Sequence, residues 1–307
     1  MIDNVKFQIV EKDKFENFVV SSKIIDLITF INLFTSEINL YPKKGRYKNL
    51  DVSITLINAY INGSLHKFKN LILFDEDQNY NDFSFCQVKE VISYLTKKLK
   101  IENSSSLTNL EFGFNIDVSK NPQDIIDFNL LMYRNKHHYR DDKFCGKGDF
   151  KEFKTTDYSL KIYNKSKQYQ LKEYKLRIEM KITSKRYLQK LGIFKLEDLN
   201  EIAVTYRLYE RLLKEFNELT IVDEFYLLNI PKADKDNLVK FTNPNYWKQL
   251  KKEKSLKVFN RVKRDFNLLV EKHNLNKTKN EILENIEYKF QQLLNDCDDT
   301  LLLSNIA

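Results

Sequence analysis

The chain has 307 residues, 42% of them hydrophobic and 13% aromatic, with only 6 Gly and 4 Pro. That is enough apolar material for one large domain, or a domain with a helical appendage, and it excludes a disordered or fibrous chain. Lys and Arg number 51 against 43 Asp and Glu, a formal charge of +8, which points to a polyanionic partner such as nucleic acid.

Cys86, Cys145 and Cys297 show no CxxC spacing and read as reduced thiols of a cytosolic protein. The N-terminal stretch is too charged for a signal peptide. No stretch approaches the ~18 apolar residues of a membrane span. The longest, Ile24 to Phe34, is interrupted by Asp26, Thr29 and Asn32. The expected location is the cytoplasm, with no membrane partner.

In chain order, Lys6–Val10 is a strand candidate, followed by an apolar stretch of uncertain type. Asp51–Leu56 alternates polar and apolar residues as a half-buried strand does. Ala59–Asn70 reads as a second strand turning near Asn62-Gly63. Ser84–Leu99 is a helix, with Val88, Val91, Ile92, Leu95 and Leu99 on one stripe and a capping box formed by Ser84 and Gln87. Leu110–Val118 is the cleanest strand. Asn121-Pro122 starts a helix that runs to about Tyr133. Arg134 to Lys154 reads as a loop, followed by strands Tyr158–Asn164 and Leu176–Ile182. A helix over about Leu196–Phe216 carries Leu199, Ile202, Tyr206, Tyr209, Leu213 and Phe216 on one stripe. Everything after about Asn243 reads as helical and charged, and Ile282, Ile286, Phe290 and Leu293 form a packing stripe. The class is α+β: an antiparallel or mixed central sheet with helices on one face, plus a C-terminal helical region. Residues 1–220 form the expected core and 221–307 a basic helical part.

Alternation assigns the second face of these strands. It carries Glu111, Gly113, Asn115 and Asp117; then Ser159, Lys161 and Tyr163, continuing to Lys165; then Arg177, Glu179 and Lys181; and from the Ala59–Asn70 strand Asn62, Ser64 and His66. Together these are the parts of metal-assisted phosphodiester cleavage. Carboxylates and imidazole hold a divalent ion, a tyrosine attacks phosphorus, and Lys or Arg offsets the developing charge. The competing reading is a solvated sheet face.

Three strings in order sharpen this. Gly63-Ser64-Leu65-His66-Lys67-Phe68 resembles the GSLxK-type strand of rolling-circle initiators. Asp157 to Lys165, with Ile162-Tyr163-Asn164-Lys165, resembles their IYxK strand. Leu176-Arg177-Ile178-Glu179 resembles their LRxE strand, and Leu188 to Leu199 resembles the helix entry that follows. Order and spacing are similar to filamentous-phage gene II type proteins and plasmid replication-initiation factors, over roughly Asp51 to Leu199.

The resemblance implies a replication initiator of a phage or plasmid. It would nick one strand at an origin, stay attached through tyrosine, and leave a 3′-hydroxyl for host replication proteins. It implies Mg²⁺ or Mn²⁺, Tyr163 and Lys165 from the IYxK string, and Glu179 from LRxE. Two His flanking one apolar residue, the usual metal motif of related nickases, are missing; His137 and His138 are adjacent. The expected ligands are therefore Glu111 and Glu179, then His66. Tyr158 and Tyr169 compete with Tyr163 as nucleophile. Lys67, Lys161, Arg177 and Lys181 are candidate DNA contacts.

Lys248, Lys251, Lys252, Lys254, Lys257, Arg261, Lys263 and Arg264 cluster with Tyr246, Trp247, Phe259 and Phe266 interleaved. Lys251, Lys252, Lys254, Arg261 and Arg264 are the expected backbone contacts, unless the cluster is only a solvated helix face. A non-catalytic DNA-binding regulator, or an RNA-binding or structural phage protein, also fits the composition.

Overall fold

The computed structural model describes residues 1–31, 33–137 and 150–297. The elements are β1 (Ile2–Ile9), α1 (Lys12–Ser22), β2 (Ile28–Ile31), β3 (Ile38–Tyr47), β4 (Leu50–Ile54), β5 (Ala59–Ser64), α2 (Leu65–Leu73), α3 (Phe85–Leu99) and β6 (Ser106–Asp117). There follow α4 (Pro122–Asp124), a π-turn over Ile125–Asn129, β7 (Leu130–Tyr133), β8 (Phe150–Lys154), β9 (Tyr158–Asn164), α5 (Lys165–Tyr169), β10 (Lys175–Ile182) and α6 (Lys185–Lys190). A 3₁₀ turn at Leu196–Asn200 leads to α7 (Ile202–Asn217), β11 (Leu219–Ile221), α8 (Lys232–Phe241), α9 (Pro244–Glu253), α10 (Leu256–Lys272) and α11 (Lys277–Asn295).

Nine strands form one sheet in the order β2-β3-β4-β5-β1-β6-β10-β9-β8, every neighbour antiparallel; β7 and β11 pair separately. The fold is α+β as expected. Phe112, Phe114 and Ile116 of β6 and Ile178 and Met180 of β10 turn to one face. There α3, α7 and α11 bury Val88, Val91, Ile92 and Leu95, Leu208 and Leu212, and Ile286 and Phe290 in one core with them. The expected stripe of α11 is thus spent on the core, and Phe290 stacks on Tyr209 at 3.8 Å. A second apolar cluster gathers Phe241, Trp247, Phe266 and Val270 from α8, α9 and α10. Among the described residues no helix is long and apolar enough to cross a membrane.

Several expectations are corrected. The strand expected over Ala59–Asn70 stops at Ser64, whose hydroxyl accepts from Lys67 N at 3.0 Å and starts α2, so His66 and Lys67 are helical. The helix expected from Asn121 to Tyr133 starts at its Asn cap and continues through the π-turn to Asn129, where it gives way to the strand Leu130–Tyr133. Phe150–Lys154, expected as loop, is the edge strand β8; His138 to Asp149 lie outside the described residues. The expected 196–216 helix breaks at Asn200, and its buried stripe is Val204, Leu208 and Leu212, while Ile202 and Tyr206 stay half-exposed.

The cysteine expectation also fails. Cys86 and Cys297 form a disulfide, with Cα atoms 5.4 Å apart, tying the first turn of α3 to the end of α11. Their 211-residue separation hides this pairing from any spacing argument. Cys145 lies outside the described residues.

A candidate metal and nucleophile centre

Register shows which side chains share the polar face. Arg177 on β10 pairs across Asn115 of β6 and Tyr163 of β9; Glu179 pairs across Gly113 and Lys161; Lys181 pairs across Glu111 and Ser159. Paired residues of antiparallel strands point to the same side, so three cross-strand rows stack along one face. Gly113 makes room for this: a Cβ there would lie 2.1 Å from Ile178 O and 2.6 Å from Glu179 Cα.

A fourth strand contributes a residue that alternation alone misses. β1 pairs with β6 through an irregularity between Ile2 and Val5, so both apolar residues face the core. Asp3, between them, faces the polar side, where Asp3, Glu111 and Glu179 bring a carboxylate oxygen each within 4.8 Å of one another. The apolar spacing of β1, three at Ile2/Val5 and two thereafter, is consistent with this, but only the pairing with β6 fixes the irregularity.

This face is buried, so the competing reading of a solvated sheet face does not hold. The segment between α2 and α3 lies across it, held by Asn115 Nδ2, which donates to Asn79 O at 3.0 Å and Tyr80 O at 3.2 Å. Asn79 is the hub. Its Nδ2 donates to Asp3 Oδ2 at 2.7 Å, and its Oδ1 accepts from Lys165 Nζ and Tyr169 Oη, both at 2.7 Å. Ser64 Oγ also donates to Asp3. Sequence reading passed over Asn79 because it sits in an irregular segment with no period to place it.

Arg177, expected to meet DNA, is only 3% exposed. Its Nε donates to Glu179 Oε2 at 3.1 Å and its Nη2 lies 3.5 Å from Asp3 Oδ2. Tyr163 Oη donates to the same Glu179 Oε2 at 3.3 Å. Lys165 is fully buried at the start of α5, with Nζ 5.4 Å from the Tyr163 ring centre and 4.9 Å from that of Tyr169. Lys161 lies 5.1 Å from the Tyr163 ring centre. Lys181 pairs with Glu111 at 2.7 Å and is the most exposed member, so the centre opens toward that end.

Burial and charge tune these groups. Burial, with Glu179 nearby, pushes the Glu111 carboxyl up to about 7, despite Lys181. Burial, with Arg177 alongside, brings the Lys165 amine down to about 7. Burial also raises the Tyr163 phenol well above its usual range, and Glu179 adds to this. Burial opposes ionisation of Asp3, but Arg177 foremost outweighs it and holds the carboxyl below its normal value.

Other expected residues lie elsewhere. His66 is buried on α2, its Nε2 2.6 Å from Asn81 Oδ1 and its ring stacked on Phe83; burial drives its pKa well below normal, so it is a neutral imidazole. It is not one of the three clustered ligands. Lys67 pairs with Asp77 at 2.9 Å. Tyr158 faces the other side of the sheet, where its Oη meets Tyr133 Oη at 3.1 Å and Arg134 and Arg211 at 3.3 Å around the buried Glu215. The basic helices divide: Lys251, Lys252 and Lys254 line one cleft, Arg261 and Arg264 a separate depression on α10.

No family model matches the chain, and no curated protein matches it. Among solved structures, a rolling circle replication initiator protein from Geobacillus stearothermophilus is similar over 75% of this chain and 88% of that one, at 11% identity and a TM-score of 0.41. At that level the chemistry has to be read from this chain's own residues.

Proposed function

We propose that this chain is a divalent-metal-dependent DNA nickase that initiates rolling-circle replication, with Tyr163 as nucleophile. The observation that carries this reading is the bond from Tyr163 to Glu179, one of three clustered carboxylates, with the buried Lys165 amine 5.4 Å from the tyrosine ring centre.

An all-oxygen set of three carboxylates suits Mg²⁺ or Mn²⁺, and Asp3, Glu111 and Glu179 would hold the ion. The elevated Glu111 pKa comes first from burial and then from the Glu179 carboxylate beside it, which Lys181 only partly offsets. Bound there, the ion would polarise a phosphate oxygen. The chain's part is to position and charge the tyrosine. Tyr163 Oη passes its proton toward Glu179, and Arg177 and Lys165 stabilise the phenolate. The oxygen attacks phosphorus; the new O–P bond replaces the bond to the 3′-oxygen, which takes a proton and leaves as a 3′-hydroxyl. The phosphodiester becomes a phosphotyrosine ester, so nothing is oxidised or consumed. In this scheme residues 1–220 hold the chemistry and the basic helices of 221–307 contribute affinity for DNA. Host replication proteins would extend the released 3′-end.

One observation favours a second reading, a non-catalytic DNA-binding protein. Arg177 already engages two of the three carboxylates, as it would in a purely structural buried network. The two readings separate in one assay. The protein is incubated with supercoiled DNA carrying its own origin in Mg²⁺, Mn²⁺ or EDTA, and open circles are counted. Nicking that needs metal and is lost in Asp3→Asn supports the nickase. Tight binding without nicking in either metal supports the binder.

A further inference from the structure

The turn after β7 and helices α9 and α10 enclose a cleft of about 940 Å³ remote in sequence from the carboxylates. Arg134 and Lys136 stand on one wall, and Lys248, Lys251, Lys252 and Lys254 on the other, with no acidic residue in the lining. Arg134 is spent on Glu215. The five lysines have no carboxylate partner among the described residues, and four of them are exposed along α9 and its end. Glu253 stands between Lys252 and Lys254 in sequence but outside the lining, so the lysines converge from two elements on one concavity.

The floor is apolar. Trp247 is buried beneath it, with Phe259 packed edge-on at 5.5 Å. Leu256 is 74% exposed at the cleft, an apolar side chain left in water amid the lysines. A duplex offers phosphates outward and hides its base faces, so it would need the charge but not the floor. A single strand offers both phosphates and bare base faces. A concavity of this volume admits a few nucleotides of one strand, in the size range of ligand pockets.

We propose that this cleft binds a segment of single-stranded DNA, its phosphates on Lys248, Lys251 and Lys252 and its bases against Leu256 and Phe259. This rests on the DNA reading above and adds the strand state and the seat. It gives the protein a hold on an unpaired strand that is independent of the metal centre.

The test uses the full chain in EDTA, so no strand is cut. A short fluorescein-labelled oligothymidylate, a hairpin duplex and an oligouridylate are titrated by anisotropy at several salt concentrations. The wild type is compared with the Lys248→Ala/Lys251→Ala/Lys252→Ala triple variant, whose exposed changes should leave the unfolding temperature unaltered. The expected result is preference for oligothymidylate, at least about a tenfold loss in the variant, and a salt slope shallower by about 2, since each lost phosphate contact removes roughly 0.7. A variant that binds the oligonucleotide like the wild type overturns the cleft and leaves the DNA reading standing. Stronger binding of the duplex overturns the single-strand assignment, and stronger binding of oligouridylate overturns the choice of DNA. A wild type that binds none of the three overturns the cleft, while the DNA reading is judged by the origin-nicking assay above.

Discussion

Tyr163 and Arg177 meet on one oxygen: the phenol donates to Glu179 Oε2 at 3.3 Å and the guanidinium at 3.1 Å. The proposed nucleophile is thus tied to the same carboxylate that the buried cation neutralises. Whatever happens to Arg177 changes both the fold and the ionisation of Tyr163.

Replacing Arg177 by Met leaves Asp3 and Glu179 facing each other without their cation. Breaking a buried ion network in this way costs about 3–5 kcal/mol. Urea unfolding should show a midpoint lowered accordingly. A midpoint unchanged from wild type would mean the guanidinium is not compensating those carboxylates.

Gly113→Ala places a methyl group 2.1 Å from Ile178 O, backbone against backbone with no flexible side chain to yield. The β10 backbone at Ile178 and Glu179 must move away, at a cost of about 3 kcal/mol in the upper range of overpacking. Thermal unfolding checks the loss, and metal binding should weaken with it because Glu179 moves.

Glu111 carries a pH signature. Its folded pKa of about 7 lies above the ordinary 4.5, so the folded state holds an extra proton between those values. The stability linked to it is complete below pH 4.5 and is lost as pH rises to 7. Metal binding must expel this proton, so affinity should rise with pH up to about 7, by at most roughly tenfold per unit. Mn²⁺ titration followed by electron paramagnetic resonance reads this directly. Glu111→Gln should bind more weakly and with a flatter pH profile.

The Cys86–Cys297 bond closes a loop spanning 211 residues. By chain entropy that cross-link is worth up to about 5 kcal/mol. Dithiothreitol, or Cys86→Ser, should lower the unfolding temperature and free the end of α11 from α3, which hydrogen exchange over 290–297 would register.

Much of the centre was legible because period-two alternation is a local property. Glu111, Lys161, Tyr163, Arg177, Glu179 and Lys181 all sit on the face that their strands' patterns assigned, and register brings them together. What escaped needed long-range information. Asp3 requires the irregularity in β1, which exists only against β6. Asn79 requires the segment before α3 to fold over the sheet. His66 was placed on a strand by continuing the alternation of Asn62 and Ser64, whereas the Ser64 cap starts a helix there. Of the 196–216 stripe, Leu199 and Phe216 are buried and Tyr209 and Leu213 pack on the core, while Ile202 and Tyr206 stay half-exposed because the helix restarts at Ile202 after the 3₁₀ turn.

The central claim is that Tyr163 becomes covalently bound to DNA. Wild type and Tyr163→Phe should be incubated with Mn²⁺ and labelled origin DNA, denatured, and the attached peptide identified by mass spectrometry. The substitution removes one long hydrogen bond and should cost under about 1 kcal/mol, so the variant stays folded. The account predicts an adduct on the peptide containing Tyr163 in the wild type and none in the variant. An adduct that persists in Tyr163→Phe, or one mapped to Tyr158 or Tyr169, would contradict it.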